Sequence, residues 1–319
     1  MPGLSRREWL KAGGAGAVML AAGGAARGAA EKAPAAAEKG AGKERWRLSL
    51  NTSTIRPASL EDKIKVAAAA KYDAIELWAS ELANHEKSGK SVEDLGKRIK
   101  DAGLEVANII GIWNSMPQDD AAKAKLIEDA RRALGHAAKV GARHIAAIPA
   151  PDRPDFDVLW GARQYAGLVD LGKEFGVAVS IEFVSFLKGI HTLGQAVAMV
   201  MESGRPGGSI VSDTFHMHNG GSAWSGLKFL DGSIFAVWHF NDVPREPEPG
   251  RMKDSDRIYP GDGILPLKEA LRDLWKSGFR GPLSLEMFNK AEYAKDPAEV
   301  AKIGIEKMRA VIAASGVGV

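Results

Sequence analysis

Cysteine is absent from all 319 residues, which rules out disulfide bridges and thiolate metal sites together. A metal could be held only by histidine, aspartate and glutamate, a donor set that suits Mg, Mn, Co or Zn and excludes zinc-finger chemistry. Histidine is scarce, at 7, and no charge sign dominates: 43 Lys+Arg against 40 Asp+Glu give a net charge of +3. Part of that excess lies in the first fifty residues, so the body of the chain is near neutral and carries no electrostatic footprint for nucleic acid. None of the first strands ends in a G-x-G-x-x-G turn, and no other phosphate cradle is evident.

What is present begins with an export signature. Ser5-Arg6-Arg7-Glu8-Trp9-Leu10-Lys11 precedes a Gly/Ala-rich apolar run and an A-x-A sequence at Ala33-Pro34-Ala35. This resembles a twin-arginine translocation signal, with Trp9 where phenylalanine is usual. The run is shorter than a bilayer-spanning helix needs, although a general-secretion signal or an uncleaved anchor remains an alternative. The expected organisation is a signal peptide over 1–35, a linker over 36–44 and a single catalytic domain over 45–319. The mature protein is then periplasmic or otherwise exported, has no membrane partner, and crosses folded with any cofactor in place. Monomer and homo-oligomer are both open.

From Trp46 onward, strand-length apolar runs alternate with stretches of helical period. The runs are 46–51, 73–78, 106–113, 144–148, 177–183, 209–213, 234–241 and 282–287, with helical segments such as LEDKIKVAAAAK and LGQAVAMVMESG between them. Several helical segments end in glycine, at Gly103, Gly141, Gly176, Gly204 and Gly278, a left-handed helix stop. Eight strand–helix units predict an α/β fold, a closed (β/α)8 TIM barrel.

Function in such a barrel sits where strands end. The later strands end in Glu182, Asp213, His239 and Glu286. Any one of them alone reads as a solvated or salt-bridged residue, but each terminates an apolar run in which an unpaired charge is costly. A closed barrel would bring the four to one divalent cation.

These residues carry a resemblance to the xylose isomerase-like barrels, a superfamily of ketose 3-epimerases, hydroxypyruvate isomerases, inosose dehydratases and apurinic endonucleases. It covers Trp46 to the C-terminal helix. YDAIELW (72–78) resembles the second strand, DTFH (213–216) the D-x-x-H, HFNDVPR (239–245) the H-x-x-D-x-x-R and YPGDG (259–263) the loop before the seventh helix. The resemblance implies one divalent ion, Mn, Mg or Co with Zn also suitable, held by Glu182, Asp213, His239 and Glu286. His216 and Arg245 would face the substrate, and Glu182 and Glu286 would be the acid/base pair acting through a metal-stabilised enediolate. Arg245 pairing with Asp242 or Glu246 is the alternative.

Trp113, at the end of the third strand, could lie against a sugar ring or pack as a core aromatic. Glu76 could contact substrate or be an internal hydrogen-bonded carboxylate. Ketose 3-epimerases of the superfamily carry a second glutamate about two turns after the first metal ligand; here Lys188 stands near that place and could meet an acidic group or an oxo-sugar. His144 begins a strand at the face away from the chemistry. His85, His136 and His191 are expected on the surface or on helices, and His218 outside the ligand set.

The leading expectation is an exported, metal-dependent isomerase or epimerase of an unphosphorylated ketose or keto-sugar. A lyase or dehydratase of a keto-sugar or 3-keto-glycoside shares the first half-reaction and is the runner-up. A non-catalytic sugar-binding protein would not need two glutamates on a metal. The endonuclease branch needs many histidines and a DNA-binding surface, and this chain has neither.

Overall fold

The alternation is realised as a closed barrel in the computed structural model, which describes residues 45–150, 153 and 155–319. The export signal and linker expected over residues 1–44 lie outside the described residues. The strands are β1 (Arg47–Asn51), β2 (Ala74–Trp78), β3 (Glu105–Ile112), β4 (His144–Ala147), β5 (Ala178–Glu182), β6 (Ser209–Asp213), β7 (Phe235–His239) and β8 (Pro282–Leu285). All pair in parallel in sequence order, and β8 pairs with β1 to close the ring.

The helices are α1 (Leu60–Ala69), α2 (Ala79–Lys87), α3 (Val92–Asp101), α4 (Asp120–Lys139), α5 (Val158–Phe175), α6 (Leu193–Ser203), α7 (Thr214–Asn219), α8 (Leu267–Lys276) and α9 (Pro297–Ser315). Their starts follow capping chemistry: Ser59, Ser91, Asp119 and Asp157 each accept from a backbone N–H of the first turn. Thr192 and Gln195 form a reciprocal capping box. The glycine stops hold, with Gly176 at φ 68° and Gly204 at φ 60°.

Strand alternation sorts the barrel into two environments. Ile75 and Leu77 share the main hydrophobic core with Leu95 and Ile99 of α3. Glu76 between them points the other way and meets side chains from β1, β3, β7 and β8. The inward layer is thus polar, and that polarity sits directly beneath the strand ends.

The chain after Asp213 forms the short helix α7. Asp213 is its N-cap, accepting through Oδ1 from the amides of Phe215 at 2.6 Å and His216 at 3.4 Å. Among the described residues no helix is long and apolar enough to cross a membrane.

Candidate metal centre

The four strand-end residues converge. One ligand atom from each of Glu182, Asp213, His239 and Glu286 lies within 4.8 Å of the others, and all four residues are buried. Three of them, Asp213, Glu286 and His239, are held by neighbours that leave one atom facing the centre. The N-cap bonds and Asn241 Nδ2, at 3.1 Å, occupy Asp213 Oδ1, leaving Oδ2 for a cation. Asn51 Nδ2 donates to Glu286 Oε1 at 3.0 Å, leaving Oε2.

His239 is oriented from below. Its Nε2 lies 3.0 Å from Glu76 Oε1, and the Glu76 carboxylate also accepts from Asn51 Nδ2, Asn108 Nδ2 and Ser284 Oγ at 2.7–2.8 Å. A carboxylate on Nε2 fixes the N–H there and turns the Nδ1 lone pair to the centre. Nδ1 lies 3.1 Å from Glu286 Oε2, 3.4 Å from Asp213 Oδ2 and 3.5 Å from Glu182 Oε1. Among the described residues it makes no hydrogen bond. A buried nitrogen without a partner, facing three carboxylate oxygens, fits a divalent cation with hard oxygen and imidazole ligands.

Without that cation the electrostatics are strained. Burial and the nearby Glu286, Asp213 and Glu76 charges push Glu182 up to about 8. Burial opposes protonation of His239, but Glu286 and Glu76 hold its pKa well above the usual imidazole range. Burial would also raise Asp213, yet the Arg257 guanidinium keeps it well below the ordinary carboxylate range.

Arg257 is the group that sequence reasoning missed. It is 1% exposed, and its Nη1 donates to Asp213 Oδ2 and Glu286 Oε2, both at 2.6 Å. Its Nη2 donates to Asp254 Oδ1 at 2.9 Å and lies 3.2 Å from His216 Nε2. The guanidinium covers Phe215 and Phe288, 4.6 and 5.1 Å from their centroids. A backbone bridge between Asp242 and Ile258 folds the long loop after β7 back onto the strand end and brings Arg257 to the cluster. Asp242 secures that loop by accepting from the amides of Val243, Gly261, Gly263 and Leu265. A Cβ at Gly263 would stand 2.1 Å from Val243 O, so YPGDG needs glycine there.

Arg245 is not brought to the cluster: it is exposed on the same loop and makes no ion pair among the described residues. Its expected partner Asp242 is committed to backbone amides. Glu76 is fully buried beneath His239, so it orients the imidazole instead of meeting substrate. His216 is buried behind Arg257, with Ser185 Oγ 2.9 Å from Nδ1, and burial together with Arg257 pushes its pKa down to about 4. Trp113 is at the barrel mouth, 51% exposed, and Lys188 is exposed on the loop after β5. His144 begins β4 as expected, and His85 on α2 and His136 on α4 lie on helices as expected, with their side chains buried.

The comparisons agree with this geometry. A family model described as xylose isomerase-like TIM barrel matches residues 64–311. An inosose isomerase of Bacillus licheniformis is 26% identical over 257 residues, covering 77% of this chain and 90% of the relative. A 3-dehydroshikimate dehydratase of Pseudomonas putida is 21% identical over 258 residues; they are 78% of this chain but only 39% of that protein. Among solved structures, an IOLI protein with a bound zinc atom superposes with a TM-score of 0.79 at 21% identity, over 84% of this chain and 99% of that one.

Proposed function

The chain belongs to the xylose isomerase-like TIM barrel family, and on that premise we propose that it is a divalent-metal-dependent enzyme that enolises an unphosphorylated keto-sugar. Isomerisation or epimerisation is the leading outcome. The observation that carries the reading is the buried, unpartnered His239 Nδ1 facing Glu182, Asp213 and Glu286. A sugar-binding protein would have no need to bury three carboxylates around one imidazole, an arrangement that costs several kcal/mol per ion unless a cation offsets it.

Removing a proton beside a carbonyl builds negative charge on oxygen, and the bound Mn, Mg, Co or Zn ion supplies the opposing positive charge. The protein's own groups divide the proton work. Glu286 takes donors from Asn51 and Arg257, which fix its carboxylate beside the centre, and it is the base. Glu182, the other buried glutamate at the centre, returns the proton as the acid. Lys188 and Trp113 lie at the rim, where they would meet substrate groups away from the reacting carbon. Export, proposed from the twin-arginine-like segment at Ser5–Lys11, accords with sugars that carry no phosphate.

Elimination is the second reading. Loss of a β-oxygen in place of reprotonation uses the same first proton transfer, and the dehydratase relative favours keeping it. The test is solvent-deuterium exchange into a panel of ketoses and keto-glycosides, followed by NMR with the metal-loaded protein. Exchange with product of unchanged mass supports isomerisation or epimerisation, and loss of water or of an alcohol supports elimination. No exchange across the panel refutes both.

A further inference from the structure

The mouth of the barrel carries aromatic surface that the chemistry at the cluster does not use. Trp113 directly follows β3 and is 51% exposed, yet it is rigidly presented. Asn114 turns the chain in the left-handed region at φ 51°, a conformation that asparagine tolerates better than other side chains. Ser115 N and Oγ both donate to Ile148 O, at 3.1 and 2.6 Å, and Met116 N donates to Ala150 O at 3.1 Å. The loop is therefore pinned to the strand beside it while its indole stays in water.

Trp113 lies nearly parallel to Trp78, with centroids 6.2 Å apart and planes at 21°. Trp78 stands edge-on to Phe288 at 6.0 Å, and its Nε1 donates to Asn51 Oδ1 at 3.1 Å. Asn51 in turn donates to Glu286. The wall thus runs from the reacting carboxylate outward, with Trp113 one ring-width beyond Trp78. The Arg56 guanidinium lies 5.3 Å from the Trp78 ring and 5.4 Å from Phe288. Among the described residues no acceptor takes a hydrogen bond from it, so its donors remain available.

We propose that Trp113, Trp78 and Arg56 form an outer subsite for a second sugar ring, so that the substrate is a glycoside of at least two rings whose oxidised ring lies over Glu182 and Glu286. The inference rests on the enolising reading above. Trp78 and Phe288 stand nearest the reacting carboxylate, through Asn51, which leaves Trp113 for a group beyond the reacting ring. A sugar in particular fits an open rim: one face of a pyranose is apolar and stacks on an indole, while its edges keep their hydroxyls in water or against a guanidinium. An aromatic aglycone would call for a drier slot than a half-exposed indole provides.

The test uses unreactive sugars, so that it stands apart from turnover. Calorimetry on the Mn2+-loaded protein compares cellobiose, maltose, trehalose and sucrose with glucose. At least one disaccharide is expected to bind tenfold or more tighter than glucose, and Trp113→Ala to bring that ratio close to one. Trp113→Phe should restore part of it, and an unchanged melting temperature would show that the exposed ring is not needed for folding. Equal binding of glucose and all four disaccharides overturns the proposal, as does an equal loss for both classes in Trp113→Ala, which would put Trp113 against the reacting ring. Preference for an aryl glucoside with none for any disaccharide also overturns it, in favour of an aromatic aglycone. Proton exchange failing in every keto-sugar would remove the enolising reading while leaving a disaccharide preference intact.

Discussion

Arg257 Nη1 stands 2.6 Å from Asp213 Oδ2 and 2.6 Å from Glu286 Oε2, the same two oxygens that face His239 Nδ1. A divalent cation held between these oxygens would share two ligand atoms with the guanidinium and be repelled by it, so Arg257 would oppose metal loading.

Arg257→Gln is accordingly expected to act in opposite directions on two measurements. The metal-free protein should lose stability, about 3–5 kcal/mol for a buried ion pair broken on one side, visible as a lower melting temperature. Affinity for Mn2+ should rise about tenfold or more by calorimetry. A fall in affinity would mean that Arg257 helps the ligands into place more than it opposes the ion.

Metal binding should depend on pH with a definite sign. Burial and neighbouring carboxylates push Glu182 up to about 8, so near neutral pH a proton and a metal compete for it. Affinity should fall roughly tenfold per pH unit per displaced proton as the pH drops through the range where Glu182 and His239, both with raised pKa values, take up protons. Calorimetry at pH 7 in two buffers of different ionisation heat should show about one proton or more released per ion. Binding without proton release would contradict the assignment.

Glu76 acts through His239. Glu76→Gln removes the charge on the Nε2 side but keeps an acceptor, and about 10–100-fold weaker Mn2+ binding is expected, with the fold intact by circular dichroism. Unaltered affinity would show that the tautomer is set without the carboxylate.

Glu182→Gln and Glu286→Gln should each slow solvent-proton exchange about 10²–10⁴-fold in preparations that retain metal. Metal content measured on the same samples separates loss of the ion from loss of the proton carrier. A variant with metal present and exchange unimpaired would remove that residue from the acid/base pair.

Much of this arrangement was legible in the sequence because barrel geometry converts strand ends into a site. Glu182, Asp213, His239 and Glu286 end apolar runs, so their convergence follows from closure alone. Arg257 was not legible, since it lies in the long β7–α8 connection, where no periodicity fixes position. It reaches the cluster only through the Asp242–Ile258 bridge and the amides gathered by Asp242. Arg245, nearer to His239 in the chain, faces solvent for the same reason. Proximity in sequence misleads once a loop folds back. Glu76 could be placed inside the barrel from strand alternation, but its bond to His239 depends on the registers that link β2 through β1 and β8 to β7, which the sequence does not state.

Asp213 and His239 are fully buried, and Arg257, packed on Phe215 and Phe288, donates to Asp213. An ion held there would leave only when these side chains move, so its residence time would be set by that opening and not by its affinity alone. Which metal the protein carried would then be decided largely once, by whichever ions surround the chain as it folds, and later changes in the surrounding medium would be slow to overwrite the choice.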